Sequence, residues 1–282
     1  MILVLGVVMI SCQKLDRPKL TNIILDPEPP PYNALKSFWA FENNANDEGE
    51  SKLTATASNV TYAPGIAGQG IKFGTNGYVM LKAAGDTVRY PNEFVGLPID
   101  TLRNLGSFSL AFWMNGPGPV QGGAQGLFAM SNSKEFWGNL ELFLENLNEG
   151  STAFLKVHMF NAGVASGNGE EWTEVKIPNA LNKWTHIAVT YDAGSSKLSI
   201  FADGQPTGVA NKVLGGGNYG KVKFNDFNGI SLGTFAFQTT PTMASHGAET
   251  WARSFAGTLD QFRIYNKALS AAEINELVTQ KK

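Results

Sequence analysis

Hydrophobic and polar residues alternate through most of the chain after residue 33, and Gly and Asn separate the alternating segments. A period of two residues is typical of a β-strand with one buried face. In residues 184–191, Trp184 and His186 fall on one face, because successive side chains of a strand point in opposite directions. The pattern predicts about a dozen short strands, which is typical of an antiparallel sandwich or barrel. The predicted strands lie at residues 37–42, 71–73, 78–82, 108–114, 127–131, 139–145, 154–160, 171–177, 184–191, 197–202, 229–233 and 257–265.

One helix is predicted, close to the C-terminus. Ser270 is followed three residues later by Glu273, which is the spacing of a capping box. Ile274 and Leu277 then fall on one helical face. From residue 34 onward, the chain shows neither an internal repeat nor a change of composition. Residues 34–282 are therefore predicted to form one domain.

The composition is that of a folded, glycine-rich protein. Hydrophobic residues make up 43% of the 282 residues and charged residues only 16%, which excludes intrinsic disorder for most of the chain. The formal net charge is −2. A nucleic-acid-binding protein needs a basic face to displace counterions from phosphates, so we expect no nucleic-acid partner.

The first twelve residues have the pattern of an export signal. Residues 1–11 form an apolar run that is too short for the ~20 residues of a membrane span but fits the apolar region of a secretory signal. The segment MISC at 9–12 resembles a bacterial lipobox, which implies cleavage before Cys12 and lipidation of its thiol. Cys12 is the only cysteine, so disulfides and thiolate metal sites are not expected. The alternative is a chain without a leader whose first strand is this apolar run.

Residues 13–33 are predicted to be a tether. They combine charged residues with closely spaced prolines, a composition that favours an extended, semi-rigid polyproline II spacer. No second long apolar segment follows, so no transmembrane helix is predicted. The predicted organisation is a signal peptide at 1–12, a tether at 13–33 and a domain at 34–282.

Five segments carry a family resemblance: SFWAFENNAND at 37–47, YAPGIAGQGIKFGTNGYVML at 62–81, GSFSLAFWMN at 106–115, KWTHIAVTYDAGSSKLSIFADGQ at 183–205 and FAGTLDQFRIYNKALSAAEINEL at 255–277. In this order they resemble the LamG-like members of the concanavalin A-like lectin/glucanase superfamily. The resemblance implies an all-β fold, a two-sheet antiparallel jelly-roll sandwich with a short C-terminal helix. It also implies the outer-membrane surface of a Gram-negative bacterium. Together with the lipobox-like segment, this predicts a protein that is lipid-anchored to the bacterial outer membrane, on either its periplasmic or its external face. The superfamily contains lectins, carbohydrate-binding modules, adhesion modules and glycosidases, so the fold alone does not define the activity.

The strongest candidates for catalysis are Glu141 and Glu145. Glycosidases of this superfamily place acids on one strand as E-x-D-x-E, and residues 141–145 read ELFLE, with Phe143 in the central position. The two Cα atoms would lie about 13 Å apart, whereas cleavage needs two carboxyl groups about 5–9.5 Å apart. A strand with its polar face toward water is the simpler interpretation, and a divergent glycoside hydrolase is the alternative. His158 is expected to be a sheet residue with a hydrogen-bond partner.

A structural Ca²⁺ is the metal hypothesis. The loop at residues 42–48 concentrates carboxylate and amide oxygens, which Ca²⁺ prefers. The family resemblance implies that calcium lies between this loop and an acid of the last strand. The candidate ligands are therefore Glu42, Asn44, Asp47 and Asp260, and an ordinary solvated turn is the alternative.

Carbohydrate binding is the predicted function. Sugar rings stack their C–H faces on exposed aromatic side chains, and four such side chains lie at or near loops. These candidates are Trp137, Trp172, Tyr219 and Trp251. The alternative for each ring is that it packs onto its own domain, and convergence of two or more rings on one rim separates the two interpretations. The expected partner is a glycan, with another envelope protein as the alternative.

Overall fold

Strands dominate the computed structural model, which describes residues 32–82, 98–164 and 168–281. The predicted signal peptide with Cys12 and nearly all of the predicted tether lie outside the described residues. The strands are β1 (Leu35–Trp39), β2 (Thr54–Pro64), β3 (Gln69–Lys82), β4 (Phe108–Asn115), β5 (Ala124–Met130), β6 (Leu140–Leu144), β7 (Ala153–Phe160), β8 (Glu170–Ile177), β9 (Thr185–Asp192), β10 (Lys197–Ala202), β11 (Gln205–Pro206), β12 (Lys212–Val213), β13 (Ile230–Leu232), β14 (Ala252–Ser254) and β15 (Thr258–Tyr265). The helices are α1 (Pro98–Arg103) and α2 (Ala271–Gln280).

The strands form one curled sheet with the order β11-β10-β9-β4-β15-β3-β13-β5-β6-β7-β8. Within the described residues every strand pair is antiparallel except β14 on β5. The curl packs one part of the sheet on the other, so the predicted all-β jelly roll is confirmed.

The core lies between the packed parts of the sheet and is centred on Phe262 of β15. Its ring stacks on Phe112 of β4 with centroids 4.8 Å apart and on Phe128 of β5 at 5.3 Å. Trp39 of β1 adds an edge contact at 5.9 Å. All four side chains are buried, and such aromatic contacts join strands that are distant in sequence.

The two ends of the strand order approach each other through β12. Lys212 of β12 donates from Nζ to the backbone carbonyl of Trp172 and to Oγ1 of Thr173, both on β8. The backbone N–H of Gly215 donates to Oε1 of Glu171 at 2.7 Å. Because β12 also pairs with β10, these bonds connect β8, at one end of the strand order, to β10, close to the other end.

Helix α2 covers the outer face of β4, β9 and β10. The predicted capping box is confirmed, since Oγ of Ser270 accepts from the N–H of Glu273 while the Glu273 carboxylate accepts from the N–H of Ser270. Ile274 packs against Ala188 and Phe201 on the sheet. Among the described residues, no helix has the length and hydropathy needed to cross a membrane.

The outer face of β5–β8 is covered differently, by two loops. The loop before β6 and the long segment between β13 and β14 bring a second cluster of hydrophobic side chains onto this face. Phe143 of β6 lies in this cluster together with Phe235 and Phe237 of the long segment. The candidate site is built on top of this cluster.

Candidate functional site

Four large aromatic side chains converge on the outer face of β6–β8. The ring centroid of Trp137 lies 5.2 Å from that of Phe136, 5.1 Å from Trp172 and 5.7 Å from Trp251. The three outer residues are partly exposed, with Phe136 at 40%, Trp172 at 39% and Trp251 at 37%. We call these four residues the aromatic platform. The structure thus brings together three of the sequence-predicted tryptophans and adds Phe136.

Hydrogen bonds anchor both loops of the platform. Asn139, at the end of the first loop, donates from Nδ2 to the carbonyl oxygens of Ser131 and Asn225 at 2.6 and 2.7 Å. In the second segment, the carbonyl oxygen of Trp251 accepts from the N–H of Ala124 on β5 at 2.9 Å. The backbone on both sides is therefore fixed to the sheet, and the platform is preformed.

A buried layer of rings supports Trp137 from below. Its centroid lies 6.0 Å from Phe143 in a stacked arrangement and 6.4 and 6.2 Å from Phe235 and Phe237. On the outer side, His246 stacks on Phe136 with centroids 4.1 Å apart. Rings held on several sides lose little freedom when a ligand binds, which favours affinity.

Glu141, His158 and Trp172 occupy directly opposed positions on β6, β7 and β8. Glu141 is fully buried, and neither carboxyl oxygen has a hydrogen-bond partner of acceptable geometry. Burial raises the pKa of Glu141 to about 8, against the opposing effect of the backbone N–H groups of Gly138 and Ala236. The side chain is therefore protonated at neutral pH.

Glu170 contacts both His158 and Trp172. Its Oε1 accepts from the indole Nε1 of Trp172 at 3.1 Å and lies 3.3 Å from Nε2 of His158. Burial lowers the pKa of His158 to about 4, although the charge of Glu170 acts in the opposite direction. The neutral imidazole lies 4.5 Å from the Trp172 ring, and its Nδ1 is buried without a hydrogen-bond partner among the described residues.

A groove of about 460 Å³ adjoins the platform at Trp172. It is lined by Lys156, Trp172, Thr173, Glu174, Val209 and Lys212. Nζ of Lys156, one of the lining residues, lies 3.3 Å from Oε2 of Glu145 and 3.7 Å from Oε2 of Glu174. The groove thus combines an aromatic wall with charged hydrogen-bonding groups.

The alternative catalytic pair, Glu141 and Glu145, does not share one accessible surface. Glu141 is covered by Gly138, where a Cβ atom would lie 3.0 Å from Cγ of Glu141, while Glu145 is partly exposed in its ion pair with Lys156. The expectation that this strand presents its polar face to water also fails for Glu141, because the loop before β6 covers it.

Tyr219 does not belong to the site. Its side chain is 1% exposed, its hydroxyl donates to the carbonyl oxygen of Gly169 at 2.6 Å, and its ring lies 5.8 Å from Tyr191 in the main core. Burial raises its pKa. The expectation of a ligand-binding loop residue was wrong because the glycines around it form the loop while the ring turns inward.

Two of the four predicted calcium ligands hold the same turn. Both carboxylate oxygens of Glu42 lie 3.2 Å from the N–H of Gln69, and Oδ2 of Asp260 accepts from Ile66 and Ala67 at 2.8 and 3.2 Å. Burial raises the pKa of Asp260 to about 6, with a further contribution from the charge of Glu42.

The other two predicted ligands are engaged elsewhere. Oδ1 of Asp47 accepts from Phe38 and Gly49 at 3.0 and 2.9 Å, and Oδ1 of Asn44 accepts from Asn46 at 2.9 Å. Within the described ranges no group of three or more His, Cys, Asp and Glu side chains is arranged to hold a metal. What the fold brings together is the pair Glu42 and Asp260.

Comparisons with known proteins agree with this architecture. The Laminin_G_3 family model, described as concanavalin A-like lectin/glucanases superfamily, matches residues 89–275. No curated protein matches the sequence.

Similar solved structures include three botulinum neurotoxin domains. The type G receptor-binding domain has a TM-score of 0.54 at 14% identity, over 89% of this chain and 52% of that one. The serotype D ligand-binding domain in complex with N-acetylneuraminic acid has a TM-score of 0.56 at 11% identity, over 88% and 51%. The DC binding domain in complex with SialylT has a TM-score of 0.54 at 14% identity, over 88% and 51%. The chain spans about half the length of these domains, and at such identity the likeness concerns the fold alone.

Proposed function

Because the chain belongs to the Laminin_G_3 family of the concanavalin A-like lectin/glucanase superfamily, we propose that it binds carbohydrate on the aromatic platform. The convergence of Phe136, Trp172 and Trp251 around Trp137 carries the proposal. An exposed aromatic patch on a fixed backbone is suited to stack the apolar faces of sugar rings. The structural neighbours include complexes with N-acetylneuraminic acid and SialylT, which makes a glycan ligand the natural class to test.

Polar side chains around the platform supply the second requirement of a sugar site. The Glu170 carboxylate accepts from the indole N–H of Trp172, and the adjoining groove is lined by Lys156, Glu174 and Lys212. Sugar hydroxyls both donate and accept hydrogen bonds, so a ligand spanning platform and groove would meet partners of both kinds.

We further propose that binding occurs without cleavage. The carboxyl group with the raised pKa, Glu141, is fully buried, and Glu145 is neutralised by Lys156. A divergent glycoside hydrolase remains the second candidate, favoured by one observation. The pKa of Glu141 near 8 is what a general acid needs at neutral pH.

The proposed setting is the bacterial outer membrane, with the domain anchored by a lipid on Cys12. Only the apolar run, the lipobox-like segment and the proline-rich segment after it support this part of the proposal. Mass spectrometry of the purified envelope fraction tests it, because an acylated Cys12 at a new N-terminus is the expected product and an intact N-terminus would contradict it.

We also propose a structural Ca²⁺ at the pair Glu42 and Asp260. Both carboxylates approach the 65–69 turn, and a cation between them would reverse the like-charge effect on the pKa of Asp260. The fit is partial, because Ca²⁺ takes six to eight oxygen ligands and the carboxylates of Asp47, Glu42 and Asp260 all accept from backbone N–H groups. Backbone carbonyls or water would have to complete the shell.

A glycan array with the purified full-length protein tests the main proposal. The expected result is binding of a defined set of glycans that a Trp172→Ala variant loses. Binding of an envelope protein together with a blank array would contradict it in favour of an adhesion role. Sustained release of reducing sugar from a bound polysaccharide, abolished in Glu141→Gln, would favour the hydrolase.

A further inference from the structure

The groove beside Trp172 contains a cation that is held in place without an ion pair. Lys212 donates from Nζ to the carbonyl oxygen of Trp172 and to Oγ1 of Thr173 at 2.9 Å. An ammonium group has three N–H donors, so one remains for a further partner. Both acceptors are neutral, and in the part of the chain that the structure describes no carboxylate lies within 4.0 Å of this nitrogen.

Lys156, the other lysine that lines the groove, is already paired with carboxylates. Lys156 lies between Glu145 and Glu174, at 3.3 and 3.7 Å. Glu171, next to Trp172 in sequence, accepts from the N–H of Gly215 at 2.7 Å. Of the two lysines that line the groove, Lys212 is thus the one without a carboxylate partner among the described residues.

We infer that this groove is the subsite for a carboxylate-bearing sugar of an acidic oligosaccharide, with its ring against Trp172 and its carboxylate on Lys212. The inference rests on the proposed function and adds the class of ligand. A hydrogen bond between an ammonium and a carboxylate is about twice as strong as a neutral one. The groove volume of about 460 Å³ is large enough for a sugar ring, since ligand pockets span roughly 300–1,000 Å³.

The test compares acids with their methyl esters, which keep the ring and remove the charge. Titration calorimetry with the full chain would use a uronic acid trisaccharide and sialyllactose, each beside its methyl ester. The expected result is that at least one acid binds about tenfold more tightly than its ester. Raising the salt concentration should weaken only the acid, because a partly exposed ion pair is screened.

Three variants separate charge recognition from a structural role of Lys212. Lys212→Gln should remove the preference, so that the acid and the ester bind with equal affinity. Lys212→Arg should retain the preference, and Lys72→Gln, an exposed lysine on β3, should change neither affinity.

Equal affinity of the wild-type chain for acid and ester would overturn the inference while leaving carbohydrate binding intact. The same holds if only neutral glycans bind on the array. An equal loss of both affinities in Lys212→Gln would also overturn it, because Lys212 would then act only by tying β12 to β8. Failure to bind any glycan would instead overturn the proposed function. The acid-to-ester comparison needs no variant, so it decides the question even if Lys212→Gln does not fold.

Discussion

Glu141 on β6 and His158 on β7 face each other across two neighbouring strands, and both are held in their uncharged forms at neutral pH. Burial causes both effects, since it disfavours the carboxylate of Glu141 and the imidazolium of His158. The face below the platform is consequently without net charge at its centre.

The first prediction concerns the stability of Glu141→Gln as a function of pH. The pKa of Glu141 is about 8 in the folded chain and 4.5 ordinarily, so between these values the folded state binds a proton that the unfolded state has released. Stability should therefore fall as pH rises through this window, and the variant should lack this loss. The free energy of unfolding, measured in urea, should therefore increase for Glu141→Gln relative to the wild type as the pH rises from about 5 to about 8.5. The expected increase is on the order of a few kcal/mol.

Glu145→Gln is the control for this experiment. Glu145 lies four residues further along and is partly exposed in an ion pair with Lys156. Its removal should change stability by less than about 1 kcal/mol at either pH. Parallel pH profiles for the wild type and Glu141→Gln would show that Glu141 is ionised in the folded protein.

The second prediction concerns the exposed rings of the platform. Replacing Trp251 by Ala should weaken glycan binding at least about tenfold, because the stacking surface is lost. The ring is partly exposed and the backbone of its segment is held by β5, so the fold should persist. Trp184→Phe is the matched control, since Trp184 lies outside the platform. Unchanged binding of Trp251→Ala in calorimetry would remove this ring from the site.

The sequence predicted the elements that have a strong local signal. Alternation at residues 184–191 corresponds to β9, and the Ser270–Glu273 capping box corresponds to the start of α2. By contrast, β2 was not predicted, because residues 54–64 are mostly small or polar and lack a clear alternation. This strand pairs with β3, and its side chains are at most partly buried. Strands of that kind are recognised by their partner, which no local pattern reveals.

The site was only partly predictable for the same reason. Trp137 and Trp172 could be chosen from their positions near loops, but whether a ring turns outward depends on tertiary contacts, as Tyr219 shows. The contact between Glu170 and Trp172 does have a signal in the sequence. The two residues are two positions apart on a strand, so their side chains must share a face.

The third prediction concerns calcium. If Glu42 and Asp260 bind Ca²⁺, adding CaCl₂ at neutral pH should raise the thermal midpoint of the wild type, because a ligand of the native state stabilises it. Asp260→Asn should abolish the increase. Asp47→Asn should retain it while lowering the midpoint, because Oδ1 can still accept from Phe38 and Gly49 but an amide NH2 replaces the Oδ2 that accepts from Leu53. MgCl₂ at the same concentration controls for ionic strength. No shift with the wild type would end the calcium proposal.

The fourth prediction assigns Glu170 a positioning role for Trp172. Glu170→Ala removes the acceptor of the indole N–H and the neighbour of His158, so the ring should lose its fixed orientation and glycan binding should weaken about fivefold. Glu170→Gln keeps an acceptor oxygen at the same distance and should bind nearly as the wild type does. The indole N–H resonance of Trp172 should therefore shift in the alanine variant and return toward its wild-type position in the glutamine variant. Glu149→Ala, which breaks an exposed ion pair with Lys176, is the control and should leave this resonance unchanged. Equal losses of binding in the alanine and glutamine variants would mean that the charge of Glu170 itself is required, and that orientation of the Trp172 ring is not its contribution.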